Sequence, residues 1–83
     1  LEVRGEALDL ADERSVSNCA GRLRSAGIEV DVLVNNGAVL FQGDVLSSSS
    51  KEFRAALDIN LLGALWTCRA FVPAMVERGY GRV

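Results

Sequence analysis

Few side chains in this chain can do chemistry, and they fall in three clusters. Asp9 and Asp12 flank Leu10 and Ala11, Asn35 and Asn36 precede Gly37 and Ala38, and Asn60 stands alone in an apolar stretch. A carboxylate just past a strand end can accept hydrogen bonds from a ligand's amine or hydroxyl. A glycine in the same place lets a flat ring or a sugar approach the backbone. Asp and Asn-Gly also furnish ordinary caps and turns, so neither cluster singles out a ligand site by itself. Asn60 carries more information. Phe53, Ala56, Leu57, Leu61, Ala64, Leu65, Cys68, Phe71, Val72 and Met75 recur at the three- and four-residue spacing of one helix face. Asn60 lies on that apolar stripe and is expected to point inward, where an unpartnered amide costs about 1–3 kcal/mol. A core Asn satisfied by neighbouring backbone is the plain structural account, but an Asp, an Asn-Asn-Gly-Ala and a buried Asn in this order form a rarer combination.

Other chemistries find little support. The chain has no histidine, so the commonest general base and the commonest transition-metal ligand are missing, and no metal site is expected. Nine basic residues are spread among eleven acidic ones, for a net charge of −2, and there is no basic stripe to neutralise phosphates. Three Phe, one Trp and one Tyr give no stacking platform, so nucleic acid is not an expected partner. The most apolar stretch, Leu61 to Val76, is broken by Thr67, Arg69 and Pro73 and falls short of the roughly 20 residues that cross a bilayer, so no membrane span is expected. Cys19 and Cys68 both fall on expected buried helix faces, and they read as reduced core thiols of a cytoplasmic protein.

The elements that must position the clusters are legible in outline. Gly5 to Leu10 reads as a short strand, and Asp12 as the N-cap of a helix with Val16, Cys19, Ala20 and Leu23 inward and Gly27 at its end. Val30 to Asn35 is rich in β-branched residues and apolar on consecutive positions, as a strand covered on both faces should be. Strand, helix and strand in so short a span imply a right-handed parallel crossover. A loop from Asn36 to about Leu46 follows, then Ser47 to Ser50, where Ser49 and Glu52 have the spacing of a capping box. The long helix carrying Asn60 is expected to be interrupted at Pro73. The chain begins at Leu1 and stops after Gly79-Tyr80-Gly81-Arg82, where a further strand is expected to start. Residues 1–83 therefore read as part of an open α/β domain with no internal boundary, of doubtful stability alone.

These motifs resemble those of the short-chain dehydrogenase/reductases. Leu8-Asp9-Leu10-Ala11-Asp12 looks like that family's aspartate motif after its third strand. Asp31-Val32-Leu33-Val34-Asn35-Asn36-Gly37-Ala38 resembles its fourth-strand motif, normally Asn-Asn-Ala-Gly. Asp58-Ile59-Asn60-Leu61-Leu62-Gly63, within Phe53 to Met75, looks like the helix that carries the Asn of the Asn-Ser-Tyr-Lys tetrad, and Gly79 to Val83 resembles the lead into the fifth strand. The resemblance covers nearly the whole chain. It departs at Gly37-Ala38, which reverses the usual order and changes which residue can take positive φ.

The resemblance implies a Rossmann-like, doubly wound parallel sheet and hydride transfer between NAD or NADP and a carbonyl or alcohol carbon. It implies that Asp9 and Leu10 contact adenine, and that Asn35, Asn36, Gly37 and Ala38 line the cofactor's ribose side. Asn60 would distort its helix and free a main-chain carbonyl for a water in the proton relay. The family's Tyr acid-base, its pKa lowered by a Lys, has no counterpart among these residues: the single tyrosine is Tyr80 and the single lysine Lys51. The 83 residues by themselves are therefore expected to be inactive. Relatives pair through this long helix, so a homodimer or homotetramer through residues 50–77 is expected, with Trp66 either in that interface or in the core. A non-catalytic nucleotide-binding or scaffolding member of the fold is the alternative, and a flavodoxin-like module is a third reading that leaves Asn60 unexplained.

Overall fold

Helices form where the sequence supplies caps. The computed structural model describes residues 1–83 and contains two α-helical bodies: α1 (Glu13–Ser25), and a long helix divided into α2 (Ser50–Leu57), a π turn (Asp58–Leu62) and α3 (Gly63–Arg78). The Asp12 side chain accepts from the Arg14 N–H at 3.0 Å and so satisfies one orphan donor of the first turn of α1. At its end Ile28 N–H reaches back to the Leu23 carbonyl, a wrap that Gly27 permits at φ 74°. The expected capping box is present: Ser49 Oγ accepts from Glu52 N–H, and Glu52 Oε2 accepts from Ser49 N–H. Gly79, at φ 74°, closes α3 in the same way as Gly27 closes α1, with Tyr80 N–H donating to the Met75 carbonyl at 3.1 Å.

The long helix departs from expectation in two ways. It is not interrupted at Pro73 but runs on to Arg78. Pro73 and Arg69 are exposed, and water can take the carbonyl that the missing proline N–H leaves unpaired. Its inward face is the expected stripe only in part: Phe53, Ala56, Ala64, Cys68, Phe71 and Val72 are half-buried, but the leucines are not covered. Gly63, Thr67 and Met75 are buried, whereas Leu57, Leu61 and Leu65 are 55%, 61% and 44% exposed. The helix approaches the rest of the chain through its small residues, and the leucines form an outward ridge. The helical span Ser50–Arg78, 29 residues long, contains an 18-residue window of mean hydropathy 1.4 and is by length and composition long and apolar enough to cross a membrane, longer than the broken stretch the sequence suggested.

Neither expected strand forms. Gly5 to Leu10 is without a ladder, and Val30 to Asn35 makes a single parallel bridge, Val32 with Arg82, closed by Leu33 N–H to Arg82 O at 2.8 Å and Arg82 N–H to Asp31 O at 2.9 Å. The reason is topological. In the doubly wound order 3-2-1-4-5-6 a third and a fourth strand are separated by two others, while the fourth and fifth are neighbours. Arginines hold the extended segments to the helices instead: Arg22 donates to the Ala7 carbonyl at 2.9 Å, and Arg78 to the Val30 carbonyl at 2.8 Å. The core is small. Val16, Cys19 and Ala20 of α1 are buried as expected, and Leu23 is half-buried. Cys19 is free and buried, and Cys68 free and half-buried. The radius of gyration is 15.1 Å, against about 12 Å for a close-packed chain of this length.

Candidate functional site

Asn60 lies in the π turn, where the helical ladder lengthens to five residues, with Gly63 N–H donating to the Asp58 carbonyl. Its side chain is solvent-accessible rather than buried, a correction to the inward position expected of it. The amide is nonetheless fully engaged. Val39 N–H donates to Asn60 Oδ1 at 2.8 Å, and Asn60 Nδ2 donates to the Val39 carbonyl at 2.9 Å. The side chain thus pairs with one backbone residue as a neighbouring strand would, and it fastens the residue after Ala38 to the helix. A π turn is rare and concentrates at functional positions, because it breaks the regular pairing of helix carbonyls.

Asn35 is held to α3 at both ends of its amide. Thr67 Oγ donates to Asn35 Oδ1, and Asn35 Nδ2 donates to the Cys68 sulfur at 3.8 Å. Thr67 Oγ also lies 2.9 Å from the Ala64 carbonyl, so its single proton has two acceptors in reach. Thr67 was overlooked as a site residue; its spacing from Asn60, two turns along one helix face, is the signal that marks it. Asn36 and Ala38 are exposed. Gly37, which the reversed Gly-Ala order leaves free to take positive φ, does not take it. Its smallness serves packing: a Cβ there would run into Leu10 Cδ1.

The first cluster forms a tight turn. Ala11 N–H donates to Asp9 Oδ1 at 2.9 Å, Asp12 N–H to the Asp9 carbonyl at 3.1 Å, and Asp9 N–H to Ser15 Oγ at 2.8 Å. One carboxylate oxygen of Asp9 is spent on the turn, and the other accepts no hydrogen bond from the protein. Leu10, Asn35, Asn36, Gly37 and Asn60 share the lining of one cleft of about 370 Å³, floored by Ala64, Thr67 and Phe71, whereas Asp9 and Ala38 lie outside it. This cleft separates the two extended segments, at the place where the doubly wound order puts its first and second strands.

An Asp turn and an extended Asn-Asn-Gly segment, with a helix fastened beside them by Asn60 and Thr67, have counterparts in solved Rossmann-fold dehydrogenases of the α/β class. The chain belongs to the short-chain dehydrogenase family, whose model matches residues 2–83. It is 26% identical over 76 residues to estradiol 17-beta-dehydrogenase 11 of Macaca fascicularis, covering 92% of this chain and 25% of that protein. Among solved structures, a putative gluconate dehydrogenase from Agrobacterium tumefaciens is 32% identical with a TM-score of 0.87, over 90% of this chain and 30% of that one. An alcohol dehydrogenase from Thermococcus sibiricus, solved with 5-hydroxy-NADP, is 26% identical with a TM-score of 0.84, over 93% of this chain and 33% of that one. The chain thus spans about a quarter of the length of the curated relative it matches.

Proposed function

We propose that the full-length protein carrying these residues is an NAD- or NADP-dependent oxidoreductase acting on a small carbonyl or alcohol. The observation that carries this reading is the Asn60 amide paired twice with Val39 in the middle of a π turn. That arrangement ties the opened helix to the backbone just after Asn35, Asn36, Gly37 and Ala38. A water held by a freed carbonyl in the turn could then relay a proton, while Asn60 itself keeps the geometry. The Thermococcus relative's 5-hydroxy-NADP supports the cofactor class.

The residues fit such a cofactor by their chemistry. The outer oxygen of Asp9 and the backbone of Leu10 offer an acceptor and a donor to an adenine edge, and Asn36, Gly37 and Ala38 offer accessible backbone on the ribose side. When bound, the nicotinamide supplies the hydride. The residues of this chain bind, orient and hold the relay in place. Residues 1–83 alone contain no Tyr-x-x-x-Lys and are assigned no turnover of their own. The site belongs to the cytoplasm in this reading. Self-association through the outward ridge of the long helix, as a homodimer or homotetramer, accompanies it.

The test is an assay of the full-length protein with NADH and NADPH against a panel of small ketones and aldehydes. The expected result is oxidation of one of the two nucleotides, strongly slowed by substitution of Asn60 by Ala while nucleotide binding persists. Nucleotide binding without turnover on any carbonyl would favour the non-catalytic alternative. No binding of either nucleotide by folded protein would end the proposal.

A further inference from the structure

Leu10 is pressed from beneath by Gly63, the first residue of α3. A Cβ built on Gly63 would lie 3.0 Å from Leu10 Cβ and 3.2 Å from the Leu10 carbonyl oxygen, inside the separation of about 3.5 Å at which such atoms pack. The contrast with Gly37 is informative. A Cβ on Gly37 would meet the tip of the Leu10 side chain, which can rotate away, whereas one on Gly63 meets atoms fixed by the Leu10 backbone. Any side chain at 63 must therefore move either α3 or the turn. From the other side, Ser15 Oγ accepts the Asp9 N–H at 2.8 Å and fixes the same turn to α1. The turn Asp9 to Ala11 is thus held between one glycine and one hydroxyl on two different helices.

We propose that Gly63 and Ser15 are positioning residues for an adenine-binding turn: Gly63 sets how deeply Leu10 sits, and Ser15 sets the direction in which Asp9 presents its outer carboxylate oxygen. This rests on the cofactor assignment above. Neither residue contacts the base in this scheme. Their effect falls first on the adenine end of the nucleotide, because the residues that bracket Asn36, Gly37 and Ala38 have tethers of their own, Val39 to Asn60 and Asn35 to Thr67.

The test uses the full-length protein with Gly63→Ala and, separately, Ser15→Ala. Binding is measured for adenosine 5′-monophosphate (or adenosine 2′,5′-bisphosphate where NADP is the cofactor) and for nicotinamide mononucleotide, with the thermal midpoint of each variant. Wild-type protein that binds neither adenine probe overturns the cofactor assignment and this inference with it. Given wild-type binding, Gly63→Ala is expected to weaken the adenine probe about tenfold, the scale of one lost charged hydrogen bond, and to leave nicotinamide mononucleotide unchanged. Ser15→Ala, on the more tolerant rim of α1, is expected to weaken it severalfold in the same selective way, and it decides the matter should Gly63→Ala not fold. Equal weakening of both probes, or no weakening of the adenine probe, overturns the positioning role while leaving the cofactor assignment standing.

Discussion

At the scale of single residues, the engaged amides separate structural work from exposure. Asn60 is accessible, so water can replace it at Val39, and Asn60→Ala should cost only about 1–2 kcal/mol of stability in the full-length protein, read from urea unfolding. The effect on turnover should be larger, about a hundredfold, since the π turn and the Val39 backbone lose their common tether and the reacting groups shift. Asn60→Asp keeps the acceptor for Val39 N–H but sets a carboxylate against the Val39 carbonyl, and it should be no better than Ala. Thr67 is buried, but its partner Asn35 is exposed. Thr67→Val removes the donor to Asn35 Oδ1, which water can partly replace, and should cost about 1 kcal/mol by the same measurement, while Thr67→Ser should stay near wild type. Near-equal stability of the Val and Ser variants would remove Thr67 from the anchoring role.

Among the elements, the helix boundaries were readable because caps are local chemistry. Asp12, Gly27, and Ser49 with Glu52 each act through hydrogen bonds to residues within a few positions. The strands were not, because a ladder depends on which segments are neighbours, and the segments around Leu8 and Leu33 are not adjacent in a doubly wound order. Periodicity also misplaced part of the packed face of the long helix, its leucines. Large side chains signal burial in a sequence, yet Gly63 and Thr67 are what let the helix come close, with the leucines turned outward. The loop before this helix carries its own pH-dependent element. Asp44 Oδ1 accepts from Ser47 N–H and Leu46 N–H, each at 2.8 Å, and these bonds, that of Ser47 first, hold its carboxyl below the ordinary aspartate value. A depressed folded value means the stabilising contribution is present above the unfolded value and fades as pH falls through the folded one. Protection of the Leu46 and Ser47 amides from exchange, taken relative to their intrinsic rates at each pH, should therefore fall only in the acid range below the usual carboxylate titration. In Asp44→Asn that protection should be lower at neutral pH and should show no such acid step.

At the scale of the 83 residues together, which span about a quarter of the curated relative, 6 are buried. Leu57, Leu61, Leu65 and Val76 form a line of exposed apolar side chains on one helix, a surface of the kind that marks an interaction site. Trp66 lies off that line. Its ring faces Arg69 at 5.5 Å, and Arg69 pairs with Glu13 at 3.5 Å, so it packs over the first turn of α1. The two candidates for an interface are therefore separable by substitution. If the ridge mediates the proposed self-association, Leu61→Glu in the full-length protein should shift light scattering from the oligomer to the monomer and leave the thermal midpoint close to wild type. Trp66→Glu should instead lower the midpoint, because it replaces a ring stacked under a guanidinium by a carboxylate beside Glu13. Dissociation by Trp66→Glu with an unchanged midpoint, together with an intact oligomer for Leu61→Glu, would move the interface from the leucine ridge to the α1 side of the helix.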